Sequence, residues 1–416
     1  MRATTVFNTL LDLEGVVVTG VRRHDDELRV AVRLRRTRLL CPVEDCGYST
    51  AARFDTRPEA SWWRSLDLGA CRTVVTAQLR RVECPDHGVL VEQVPFARHR
   101  VRFTRDFEDL VAWCASKMDK TAVTRLLRIA WPTVGAIVDR VVADGLDPDR
   151  LDGLVAIGAD EISWRKHHNY LTVVVDHASG DVIWTGEGKD TAALDAFFAE
   201  LGPERAAKLE AISLDMGRAY PKSVAKKDHA PQAEICWDPF HAVKLGTDAL
   251  NVVRREHWNR LRVDAPADVA RRFKGARWAL LRNPDDLTDR QADTLAAIRR
   301  TGGAVWRAYK GKESLRAIFA GDLPEAEVAA LLDRWCAWAQ RSRLPAFVKL
   351  GRTIRAHRHG ILAAIRLGLS NGRVEGRNAT IRLITRRAFG FHTAKAAAAL
   401  VMLCCGPITL LLPHEK

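Results

Sequence analysis

Three carboxylates stand where they could do chemistry. Asp160 follows the apolar run Leu154-Val-Ala-Ile-Gly158, and Asp215 closes the apolar run Ala211-Ile-Ser-Leu214. Glu375 is the single acid between Arg341 and Arg387, a stretch that holds twelve Lys or Arg residues. A lone carboxylate in so basic a setting suits a metal better than it suits solubility. On a helix, Asn378 and Arg382 would share its face at i+3 and i+7. Taken singly, strand-end aspartates and helix-start glutamates are ordinary turn and capping choices. Taken together they make an oxygen donor set for two magnesium ions, which prefer carboxylates and keep waters. Such a pair, ~3.5 to 4 Å apart, activates an attacking oxygen and stabilises a leaving one in an in-line phosphodiester displacement. Asp160 would bridge both ions, with Asp215 and Glu375 each completing one. Asp238 also closes an apolar strand, Ala233-Glu-Ile-Cys-Trp237, and is a rival for the second carboxylate.

A second constellation is Cys41-Pro-Val-Glu-Asp-Cys46-Gly, followed by Cys84-Pro-Asp-His87-Gly. Tetrahedral zinc takes four such donors, and two turn-borne pairs suit a zinc ribbon binding one ion through Cys41, Cys46, Cys84 and His87. The competing reading makes Cys41 and Cys84 small buried hydrophobes and His87 incidental. Cys71, between the pairs, is a reserve ligand.

The elements that must position these groups follow from pattern. A chain of 416 residues suggests two to four units at roughly 100 to 200 residues each. Residues 1–95 carry strand-like runs, Leu28 to Leu34 and Thr73 to Val82, among Cys-Pro and Gly turns, which predicts a small zinc-ribbon-like β module. Residues 96–148 shift to helical spacing over 104–142, which predicts three short helices: either a plain packing unit or, as the basic total favours, a helix-turn-helix whose second helix, Trp131 to Arg140, would enter a major groove. The connector Gly145 to Gly153 is acidic and turn-rich. Beyond it, residues 149–244 predict strands at 154, 170 and 182, a helix over Thr191 to Leu201, a strand at 211, a short helix near 218 and a strand at 233. The first three connections are too short for crossovers and predict an antiparallel meander, whereas the later strands should be parallel. That order is the ribonuclease H-like topology, a mixed-sheet core. Residues 245–366 read as an all-helical insertion, and 367–416 return to the core with the helix of Glu375. The insertion holds Trp258, Trp278, Trp306, Trp335 and Trp338, read mostly as core packing, with stacking on an unpaired base as the other use.

Charge narrows the partner. With 65 Lys and Arg against 51 Asp and Glu the net charge is +14, which favours a polyanion, nucleic acid ahead of an acidic membrane surface. Arg373, Arg377, Arg382, Arg386 and Arg387 are the expected phosphate contacts. Nine scattered cysteines argue against a secreted disulfide framework and for a reducing cytoplasm. The start carries acids within its apolar stretch, unlike a signal peptide. The apolar run Ala396 to Leu412 contains Gly406 and Pro407 and reads as a buried helix rather than a membrane anchor.

Several blocks together resemble a known family. Gly158-Ala-Asp-Glu161 with Arg165-Lys-His-His-Asn-Tyr170, Ser213-Leu-Asp-Met216 with Tyr220, Asp238-Pro-Phe-His241, and Ser370-Asn-Gly-Arg-Val-Glu-Gly-Arg-Asn378 with Arg386-Arg-Ala-Phe-Gly-Phe391 look like the DDE transposases of the ISL3 insertion sequences. The resemblance covers nearly the whole chain, since that family also begins with a zinc-binding module and a helix-turn-helix. It implies that Asp160, Asp215 and Glu375 are the DDE triad and that Asp238 and His241 match an accessory Asp-x-x-His element. It further implies a cytoplasmic, nucleoid-associated enzyme, a homo-oligomer on double-stranded DNA that binds terminal inverted repeats and catalyses magnesium-dependent cleavage and strand transfer. His167 stands where the family usually has Gly, and His167 and His168 read either as phosphate contacts or as solvated side chains. The alternative function is a zinc-containing DNA-binding regulator derived from a transposase and catalytically inactive.

Overall fold

The computed structural model describes residues 2–43, 45–165, 169–217, 219–321, 323–369 and 372–415. The chain forms two compact units. One holds Met1–Asp147 with Arg387–Phe389 and Ile408–Lys416, the other Pro148–Arg386 with Gly390–Pro407.

The first unit is built on a four-stranded sheet in the order Val16–His24, Glu27–Leu34, Arg72–Ala77, Ser61–Arg64. Period-two burial dictates it: Leu28, Val30, Val32 and Leu34 turn inward while their neighbours face out. Trp63 meets Phe96 edge-on inside the same core. A three-stranded antiparallel sheet, Asp55–Thr56, Arg80–Cys84 and Gly88–Val91, stands beside it. The run expected as one strand, Thr73 to Val82, is therefore two. It breaks at Gln78 and Leu79, with Leu79 buried as the chain leaves one sheet for the other.

Besides an N-terminal helix, Ala3–Leu11, this unit holds three consecutive helices: α1 (Arg105–Lys117), α2 (Lys120–Leu127) and α3 (Trp131–Gly145). Thr104 caps α1 by accepting from the Phe107 N–H, Asp119 caps α2 by accepting from Ala122, and Pro132 sits in the first turn of α3. Glu108, fully buried on α1, accepts from Arg98 and from Arg140 of α3, so its carboxylate ties α1 to α3.

The second unit is organised by a five-stranded mixed sheet. Its strands are β1 (Ala156–Arg165), β2 (Asn169–Asp176), β3 (Val182–Glu187), β4 (Ala211–Leu214) and β5 (Glu234–Trp237), in the order β3-β2-β1-β4-β5. β1, β2 and β3 pair antiparallel, whereas β4 runs parallel to both β1 and β5. The apolar helix α4 (Thr191–Leu201) covers the sheet through Leu194, Phe197, Phe198 and Leu201. Helices then run from α5 (Pro239–Asp264) to one at Arg358–Arg366 without an intervening strand among the described residues. In this segment Trp335 and Trp338 pack with Phe347, and Trp306 stacks on Tyr309, as core residues. Trp278, by contrast, is 51% exposed beneath the guanidinium groups of Arg277 and Arg282.

Two further helices return to the sheet, α6 (Gly372–Arg387) and α7 (Ala394–Cys405). α7 packs on β3 and ends at Gly406. Among the described residues no helix is long and apolar enough to cross a membrane.

Candidate active site

The register of two parallel strands brings the first two acids together. Ala159 of β1 is opposite Leu214 of β4, so Asp160 and Asp215, the next residue along each segment, come side by side, Asp215 just past the end of β4. Asp160 was expected just past a strand end. It instead lies midway along ten-residue β1, because the hairpin partner β2 goes on pairing beyond it, with Val173 opposite Asp160 and Leu171 opposite Ile162. The carboxylate stands where the parallel neighbour β4 has run out.

The electrostatics are those of crowded, buried carboxylates. Burial, and after it the charge of Asp215, raises Asp160 to about 7. Glu161, half-buried next along β1, is raised by burial and then by Asp215. Tyr220, buried and hydrogen-bonded to Thr172 at 2.9 Å, is pushed up by burial and by the three nearby acids. Asp215 Oδ1 is buried with no hydrogen-bond partner. Sequence reading missed the involvement of Glu161 and Tyr220, and only their place beside Asp160 and Asp215 in the motif blocks signalled it.

Asp238 and His241 open α5 at the end of β5. Asp238 is 3% exposed and caps the helix by accepting from the Phe240 N–H at 3.0 Å. One turn on, His241 lies between two acids, Nε2 2.9 Å from Asp215 Oδ2 and Nδ1 3.4 Å from Asp238 Oδ2. Burial alone would lower the imidazole, but these two carboxylates outweigh it and raise it to about 10. Asp215 thus lies beside Asp160, and Asp238 caps the helix start and contacts the histidine.

The third acid expected from the sequence, Glu375, lies on α6. Asn378 of that helix donates from Nδ2 to Asp160 Oδ2, and Glu375 stands one turn earlier, exposed. Arg377 does not point free into solvent as a phosphate contact would. It pairs with Asp181 at 3.0 Å and donates to the Gly180 carbonyl. Arg382 and Arg386 are exposed and Arg387 is half-buried. The side chain of Arg373, and His167 and His168 altogether, lie outside the described residues.

Donor atoms of Cys41, Cys46, Cys84 and His87 all lie within 4.8 Å of one another, the one such tight metal-ligand group among the described residues. Cys71 stays out of it. Both ligand pairs sit on turns closed by glycines in the left-handed region, Gly47 at φ 65° and Gly88 at φ 70°. Burial opposes ionisation of Cys84, yet the N–H groups of Asp86 and His87 and the neighbouring ligand side chains bring it down to about 7. A thiolate so disposed fits a zinc ligand.

Residues 157–400 match a family model described as transposase, for the DDE domain of ISL3 elements, and residues 92–142 match one described as the helix-turn-helix domain of transposase family ISL3. The chain is 44% identical to the transposase for insertion sequence element IS1557 of Mycobacterium tuberculosis, in strains CDC 1551 and H37Rv alike, over 97% of its own length and 96% of the relative's. It is 30% identical to the transposase for insertion sequence element IS1001 of Bordetella parapertussis, over 91% of this chain and 92% of that one.

Proposed function

The chain belongs to the ISL3 family of transposases, and from that premise we propose that it cleaves DNA at the ends of an insertion sequence and joins the freed 3′ hydroxyl to a target. The observation that carries this reading is the juxtaposition of Asp160 on β1 and Asp215 just past the end of parallel β4, the first raised to about 7 and the second with a buried oxygen that has no hydrogen-bond partner. Such a donor set fits hard divalent cations. Asp160, Asp215 and Glu375 would hold two magnesium ions, which when bound activate the attacking oxygen and stabilise the leaving one.

The protein's own groups set the stage for that step. His241, itself held by Asp238, orients Asp215, and the exposed Arg382 and Arg386 draw in the DNA backbone. The sheet order supports assigning a ribonuclease H-like core to residues 149–244 and 367–416, with residues 245–366 inserted. Residues 1–95 would bind one zinc, and 96–148 would read the terminal inverted repeats, with homo-oligomers of the protein pairing two ends in the cytoplasm.

The test is cleavage and strand transfer on duplexes carrying the inverted repeats that flank the gene, with and without Mg²⁺. Joined products that need Mg²⁺ are expected. Specific binding with no cutting under any divalent ion would favour the inactive regulator.

A further inference from the structure

Asn378 is 1% exposed and one helical turn beyond Glu375. Its Nδ2 donates to Asp160 Oδ2, across 218 residues of sequence, while its Oδ1 is buried with no partner. Leaving an amide oxygen unmet in this way carries a desolvation cost that an apolar side chain of similar size would not incur. The position therefore does something other than pack.

What it does is visible on the carboxylate. Asp160 Oδ1 accepts from the Glu161 N–H at 2.8 Å, and Oδ2 accepts from Asn378. A carboxylate offers about four lone-pair sites in all. One donor on each oxygen fixes the carboxylate plane and leaves one direction free on each, which suits a group that must face two cations. The helix bearing Asn378 is also seated on the same strand. Val374 packs onto Gly158, two residues before Asp160, and Arg377 is held by Gly180 and Asp181 in the turn between β2 and β3.

We propose that Asn378 is a positioning residue for Asp160, one that also couples the seating of the Glu375 helix to cation binding at the strand acids. This rests on the metal reading above. Outer-shell partners of this kind change metal affinity by about 10- to 100-fold, and the coupling is reciprocal: what the helix gives to the cation site, the cation gives back to the helix.

The experiment uses the full-length, zinc-loaded protein with Mn²⁺ as the probe, its binding followed by electron paramagnetic resonance and its effect on α6 by hydrogen exchange. In wild type, Mn²⁺ should slow exchange across residues 372–387. Asn378→Ala should weaken Mn²⁺ binding by about 10- to 100-fold and abolish that slowing. Asn378→Asp, nearly isosteric and available should the alanine variant misfold, should weaken it at least as much, because an ionised carboxylate cannot donate and repels Asp160. Affinity equal to or tighter than wild type in Asn378→Asp would make residue 378 a direct ligand and overturn the proposal. Unchanged affinity in both variants would overturn it too. Wild-type protein that binds no Mn²⁺, or binds it as well after Asp160→Asn, would instead strike down the metal reading and this inference with it.

Discussion

Gly158 and Val374 are packed so closely that a β-carbon on the glycine would overlap Cγ2 of the valine. It would also come within 2.8 Å of Ser213 Oγ and 3.2 Å of His177 Nε2, so the space is closed from several sides. Gly158→Ala should destabilise the second unit by ~1 to 3 kcal/mol, as overpacking does. Adding Val374→Ala should recover part of the loss, and denaturant unfolding of the two single variants and the double one reads the coupling. Additive effects would show that the two residues do not press on one another.

Asp160→Asn, Asp215→Asn and Glu375→Gln should each abolish Mg²⁺-dependent cleavage while DNA binding survives. Asp238→Asn should lose activity only in part, because its carboxylate caps α5 and faces His241 rather than Asp160. Equal collapse at Asp238 with activity retained at Asp215 would exchange the roles of those two acids.

Arginines of α6 should divide by partner. Arg382→Ala and Arg386→Ala should each flatten the log–log salt dependence of DNA binding by about 0.9, the share of one phosphate. Arg377→Ala should leave that slope nearly unchanged and lower the unfolding midpoint, since its guanidinium already serves Asp181 and Gly180. Salt titrations of binding to one duplex compare all three.

One zinc should be found per chain by elemental analysis. Removing it with a chelator should loosen the first unit, followed by proteolysis or hydrogen exchange, while the mixed sheet of the second stays protected. Cys84→Ser should reproduce the effect of the chelator without one. Carefully purified protein with no zinc would end this assignment.

The pH dependence follows from the two shifted groups. Asp160 is raised to about 7, so folded protein keeps a proton that the unfolded chain releases near pH 4, and stability falls as pH rises between those values. His241 is raised to about 10, so its contribution, complete below about 6.5, is likewise lost as pH rises through 10. In protein without added divalent ions, Asp160→Asn should make the fall in thermal midpoint between pH 5 and 7 shallower. Added Mg²⁺, which competes with the proton, should flatten it in wild type.

Much of this site was legible because its elements are local. The apolar helix Thr191–Leu201 and the four-residue strand before Asp215 announce themselves by composition and clear boundaries. The setting of Asp160 was hidden, since β1 continues through polar Ser163 and Arg165 and is held extended by its hairpin partner rather than by its own residues. Nor could a pattern of basic residues tell Arg377 from Arg382, because the partner that engages Arg377 lies 196 residues away. Glu161 carried no separate signal: one acid beside another looks like a solvated pair until burial is known.

The 218 residues between Asp160 and Asn378 also set a timetable. A ribosome adding about 5 to 20 residues per second needs roughly 10 to 40 s to travel from the strand acid to the helix that completes it. Through that interval the emerging chain holds Asp160 and Asp215 without the helix of Glu375 and Asn378. A frameshift or stop codon between residues 215 and 372 makes the condition permanent, so on the proposed assignment such damaged copies of the gene yield products that carry Asp160 and Asp215 and would be unable to break DNA.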